Sequence, residues 1–129
     1  MKYLKNFENL EEDNSEILSD LEYILQDLKD EYFDVSIVDE KKYRRIVKIK
    51  SKYLFSIGFI KDTTGGLAEE FKLSEIKESF DRVKDYMKSN GFEIENIDAF
   101  DLSKNLNISP DTNQWDLDMK VLGINFYFN

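Results

Sequence analysis

The chain has no cysteine and no histidine. Without cysteine there is no disulfide, no thiolate chemistry and no zinc site of the cysteine type. Without histidine the commonest general base and the commonest metal ligand are gone. So is every Ser-His or Cys-His nucleophile system. Proline occurs once, at Pro110. No apolar run approaches the roughly 18 residues that a membrane helix needs. The opening residues, Met1 to Glu8, lack the apolar centre of a secretory signal. The expectation is a cytoplasmic protein that does not associate with membranes.

What is present points to a packed fold. The 129 residues suit one domain over 1–129, with no linker or low-complexity tract. A chain of this size buries about two-thirds of its unfolded surface, so one core suffices without staples. Ten Phe and seven Tyr argue against disorder. The net charge is −9 and it is unevenly spread. From Glu8 to Glu40 there are thirteen acids and one base, Lys29. From Lys41 to Lys52 there are seven bases and no acid. The overall field repels nucleic acid and attracts basic proteins or cations.

Hydrophobic spacing predicts a first helix over about Ser15 to Glu31, through Ile17, Leu21, Ile24 and Leu28. Asp13 and Glu16 form a candidate cap pair. A second helix is predicted over about Ser74 to Ser89, through Ile76, Phe80, Val83 and Met87, ended by Asn90-Gly91. The two helices match at an offset of 59 residues, and the match continues through Phe33 with Phe92, Val35 with Ile94 and Asp39 with Asp98. Strands are expected at Phe33–Val38, Phe92–Phe100, a single long one at Arg45–Ile60, and Trp115–Phe128. The predicted fold class is α+β: a two-layer sandwich with an αββαββ duplication, a largely antiparallel four-stranded sheet and two helices on one face. Leu54, Ile60, Val121 and Tyr127 make the second face partly apolar, so the N-terminal segment or a homodimer through the sheet is expected to cover it.

Few residues suggest chemistry. Asp118-Met119-Lys120 has the acid-x-Lys form of metal-dependent nucleases, in which two carboxylates hold a cation and a lysine steers water. Asp98 and Asp116 are the carboxylates that could join Asp118 and Lys120. The same form recurs at Asp27–Lys29, Asp39–Lys41, Glu40–Lys42, Glu70–Lys72 and Glu75–Lys77, which makes it background in so charged a chain. Asp111 to Asp116 begins like a calcium loop but lacks the sixth-position glycine and the twelfth-position glutamate. Gly65-Gly66 is not followed by the Gly-Lys-Ser/Thr of a phosphate loop and reads as a loose lead-in to the second helix. Lys48, Lys50 and Lys52 read as a solvated strand edge that discourages edge pairing, not as a nucleic-acid strip.

Asp20, Glu22, Asp27 and Asp30 occupy the polar side of the first predicted helix. They are the candidate partner-binding residues, facing a protein with a basic surface. The expected function is therefore a non-catalytic protein-interaction protein with an acidic surface and no cofactor. The alternative is a metal-dependent enzyme or small-ligand-binding domain built on Asp98, Asp116, Asp118 and Lys120. The opening Met1-Lys2-Tyr3-Leu4-Lys5-Asn6-Phe7-Glu8-Asn9 resembles the start of many uncharacterised small proteins encoded by large tailed bacteriophages. The Lys-, Asn-, Asp-, Glu- and Ile-rich composition is similar too. That resemblance implies a viral protein acting on a host protein in the host cytoplasm.

Overall fold

The computed structural model describes residues 14–48, 52–64 and 67–129. The predicted cap residue Asp13, the N-terminal segment expected to cover the sheet, Lys50 and Gly65-Gly66 lie outside them. The first helix comes in two pieces, α1 (Ser15–Ile24) and α2 (Gln26–Asp30), interrupted at Leu25. Leu25 is fully buried, and its amide still bonds the Leu21 carbonyl at 2.9 Å. Asn14 stands at the N-cap of α1 without capping through its side chain. Its amide donates instead to Asp39 at 3.1 Å, tying the helix start to the end of the next strand.

Strand β1 (Phe33–Asp39) leads directly into a helix, α3 (Glu40–Val47). The single long strand from Arg45 to Ile60 is therefore a misreading. The register explains why. Strand β2 (Phe55–Thr64) runs back along β1 with Asp39 opposite Phe55, and the Glu40 amide bonds the Leu54 carbonyl. The chain must reverse between these partners, and the Glu-, Lys- and Arg-rich run Glu40–Arg45 is composed of good helix formers. Lys48 follows with φ 59, so Lys48 and Lys52 do not share one strand face.

Strand pairing also extends past Ile60. β2 continues to Thr64, which pairs with Leu67 at the start of β3 (Leu67–Glu69). The described chain resumes at Leu67 in a strand, not in a helix. Strand β4 (Phe71–Lys72) and a 3-10 turn (Leu73–Glu75) precede α4 (Lys77–Ser89). Glu75 accepts from the Lys72 amide at 2.8 Å and so caps this turn. At the far end Gly91 takes φ 89, and the Phe92 amide reaches back to the Met87 carbonyl. This is the glycine-terminated ending that Asn90-Gly91 predicts.

The rest is β5 (Ile94–Phe100), β6 (Asn105–Asn107), a 3-10 turn (Thr112–Gln114), β7 (Lys120–Val121) and β8 (Gly123–Phe128). The main sheet is antiparallel in the order β1-β2-β8-β5-β6, with β3 paired to the extension of β2. It has six strands rather than four. The two extra strands are three-residue returns, and Asp101 closes one of them by accepting the amides of Ser103 and Lys104. β4 and β7 form a separate two-stranded ribbon.

Side chains alternate between the two faces along the central part of the sheet. On the front lie the cross-strand rows Val35–Phe59–Ile124–Ala99–Leu106 and Ile37–Ile57–Phe126–Ile97. They share one core with Leu21, Leu25 and Leu28 of the first helix segment and Phe80, Val83 and Met87 of α4. Phe80 stacks between Trp115 and Phe126, with ring centroids at 5.4 and 4.3 Å. Each such side chain taken fully out of water contributes about 1.5–3 kcal/mol.

The back carries the rows Val38–Ser56–Tyr127–Asn96, Ser36–Gly58–Asn125–Asp98–Asn107 and Asp34–Ile60–Gly123–Phe100–Asn105. It is mostly polar. The apolar residues that argued for a covered second face divide among three places, and Leu54 packs against the main core instead. Val121 is buried in the β4–β7 ribbon opposite Phe71, and a bend at Leu122 resets the alternation before β8. Only Ile60, Phe100 and Tyr127, with Val38 at the margin, interrupt the polar rows.

The offset of 59 residues holds only as far as Ile94. A bulge between Ile94 and Asn96 shifts the later residues of β5 by one position. Asp39 therefore falls in line with the front residues, while its supposed counterpart Asp98 lies on the back.

Candidate functional site

The acidic helix is the first candidate. Glu16, Glu22, Asp27, Asp30 and Glu31 are exposed along α1 and α2. Asp20 is not free to face a partner. Its carboxylate accepts the Tyr86 hydroxyl of α4 at 2.6 Å. Burial, the hydrogen bond to Asp20 and its negative charge push the Tyr86 phenol up to about 12. Asp27 lies 3.4 Å from the Arg82 guanidinium of the same helix, and Asp30 accepts from Gln26 at 3.0 Å. Two of the four expected docking residues thus bridge the helices. Glu22 and Asp30 point outward.

The second candidate, Asp98 with Asp116, Asp118 and Lys120, is spread over different elements. Asp98 sits in the middle back row of β5 and accepts the Asn96 amide at 3.2 Å. The Asn107 amide in turn bonds Asn96 at 3.2 Å. Asp116 accepts the Asp118 backbone amide at 3.1 Å and shapes the turn before β7. Asp118 points into solvent, 4.0 Å from Lys72. Among the described residues no three acidic side chains gather closely enough to hold a metal ion. Asp111, the start of the calcium-like stretch, accepts the Asn113 amide and caps its 3-10 turn.

What the fold does bring together is a cleft of about 680 Å³ that no motif announces. Its walls include Lys61 of β2, Lys72 of β4, Glu75, Lys120 of β7, and the leucines Leu102 and Leu122. Lys61 and Glu75 pair at 2.7 Å inside it. Burial opposes ionisation of Glu75. The Lys61 ammonium and the Lys72 amide outweigh it and hold the carboxyl below its usual range. Lys72 and Lys120 stand directly opposite each other across the ribbon, an arrangement of like charges that is unfavourable unless offset. Asp118 and Glu75 supply part of that offset. Lys61 and Glu75 are fourteen residues apart in sequence, one on a strand and the other on a turn.

Among the described residues no helix is long and apolar enough to cross a membrane. Compared with known proteins, the chain matches no family model, no curated protein and no solved structure.

Proposed function

We propose that the protein is a non-catalytic interaction protein whose acidic helical face docks a basic surface of a protein partner. The observation that carries this reading is the series of exposed carboxylates along α1, α2 and its C-cap, Glu16, Glu22, Asp27, Asp30 and Glu31, with Lys29 the one base in that stretch of sequence. Asp20 and Asp27 support it in another way. Their bonds to Tyr86 and Arg82 anchor the acidic element to α4, so the charges are presented from a fixed scaffold. That scaffold is a two-layer sandwich in which a helix and two strands occur twice, α1–β1–β2 and α4–β5–β8, with β2 and β8 adjacent at the centre. Taken with the resemblance of the opening residues to small phage proteins, the partner is a host protein, one that itself carries a basic patch.

Single exposed ion pairs contribute only about 0–1 kcal/mol, so a single charge reversal is a poor probe. Several acids acting together raise the association rate, and salt lowers it steeply. The test is a pull-down with the tagged chain followed by binding measurements on the protein recovered. A combined Glu22, Asp27 and Asp30 to Lys variant, sparing Asp20 and its bond to Tyr86, should bind far more weakly at low salt and nearly equally at high salt. Equal binding by a folded variant at low ionic strength would leave the acidic face as a solvated surface only.

A further inference from the structure

The back of the sheet has a second acidic feature, separate from the helices. A groove of about 350 Å³ runs over it, lined by Asp34, Ser36, Gly58, Ile60, Phe100 and Asn125. Two glycines on this face, Gly58 and Gly123, are each covered by a neighbouring side chain. A side chain at Gly58 would strike the Asn125 amide oxygen, and one at Gly123 would strike the Phe100 ring. The absence of side chains at these two positions leaves room for the Asn125 amide and the Phe100 ring, and both of these line the groove with Asp34.

The groove is one-sided in charge. The three back rows contain Asp34 and Asp98 and no lysine or arginine. The neighbouring Tyr127 phenol is held above its usual range, first by burial and then by the charges of Asp98 and Glu40. The polar groups on offer suit a cation. Asp34 is exposed and supplies a carboxylate, and Ser36 and Asn125 add oxygen acceptors. The apolar groups are a ring, Phe100, and an aliphatic side chain, Ile60, which is 39% exposed.

We infer that this groove receives an arginine side chain of the basic protein partner. The planar guanidinium can take Asp34 through two parallel hydrogen bonds while its face lies on Phe100 and its methylene stem on Ile60. A lysine matches the charge but neither the planarity nor the fork. The inference rests on the reading of the protein as one that docks a basic partner, and it adds a second contact surface of defined side-chain chemistry.

The experiment is a titration of the isotope-labelled full chain with three capped pentapeptides, Gly-Gly-X-Gly-Gly, in which X is arginine, lysine or the neutral isostere citrulline. Saturable amide shifts at Asp34, Ser36, Ile60, Phe100 and Asn125 are expected with the arginine peptide. The citrulline peptide, and the Asp34→Asn variant with the arginine peptide, should bind about three- to fivefold more weakly, the range of an exposed ion pair. The lysine peptide should fall between. The Glu22, Asp27 and Asp30 to Lys variant should leave the groove shifts unchanged. Equal binding of arginine and citrulline peptides, or arginine shifts confined to α1 and α2, would overturn the groove assignment. The second of those results would leave the helix-docking reading intact. Conversely, groove binding with no salt-sensitive partner would refute the helix reading alone.

Discussion

The two faces of the sheet are made by the same strands yet have opposite characters. On the front, Phe55, Ile57, Phe59, Phe126 and Phe128 are wholly buried. On the back, the residues between them are Ser56, Gly58, Asn125 and Tyr127. Alternation with a period of two turns one strand sequence into two surfaces. The front is a packing surface with large rings in contact, where shape sets stability. The back is a largely polar surface with a groove lined by Asp34, Phe100 and Asn125, so shape there can serve recognition.

That contrast can be broken most forcefully at Phe126. Its ring touches both Phe80 and Phe59. Phe126→Ala should cost about 3–5 kcal/mol in urea unfolding, a large part of the roughly 5–15 kcal/mol a domain has. A loss below about 1 kcal/mol would mean the front is not the core described.

On the back, the largest effect is expected at Gly123. A methyl group there would lie 2.3 Å from the Phe100 ring, so the whole ring must shift. Gly123→Ala should cost about 1–3 kcal/mol, as overpacked sites do. Gly58→Ala meets only the Asn125 amide oxygen at 2.5 Å, the end of a side chain that can swing away. Its cost should be smaller than that of Gly123→Ala, and the reverse order would show that Asn125 is the more rigid neighbour.

The polar seam above the front gives a pH signature. Burial and the Asp20 hydrogen bond raise the Tyr86 phenol to about 12, above an ordinary value of 10. With the folded value raised, the contribution is complete below pH 10 and is lost as pH climbs toward 12. Tyr86→Phe should cost about 1 kcal/mol at neutral pH and remove that alkaline slope from the stability profile. An unchanged slope in the variant would place its origin elsewhere. The smallest effect belongs to Asn107, exposed at the edge of the back face. Asn107→Ala should stay within about 0.5 kcal/mol of the parent.

Much was legible from the residues alone. The period of Ile76, Phe80, Val83 and Met87 specifies α4, and Asn90-Gly91 specifies its end, because these are local demands on backbone and burial. The strand from Phe33 and most of the one expected from Phe92, which runs from Ile94, arise for the same reason. Arg45 to Ile60 misled because alternation over Val47, Ile49 and Tyr53 is compatible with a strand until pairing is known. Only the register of β1 against β2, with Asp39 opposite Phe55, shows that the chain must reverse there. The bulge after Ile94 and the bend at Leu122 are likewise invisible to periodicity, since each shifts which face a residue joins without altering composition.

The candidate sites divide in the same way. The sequence determined that the protein has neither histidine nor cysteine, and that its acids concentrate before Lys41, because these are matters of composition and order. It could not show that Asp20 turns inward to Tyr86, 66 residues away, or that Lys61 meets Glu75. Nor could it show that Asp34, Phe100 and Asn125, from three different strands, line one groove. Those arrangements depend on strand order and register, which are set by how separate segments bury their apolar faces together, and no single segment encodes them.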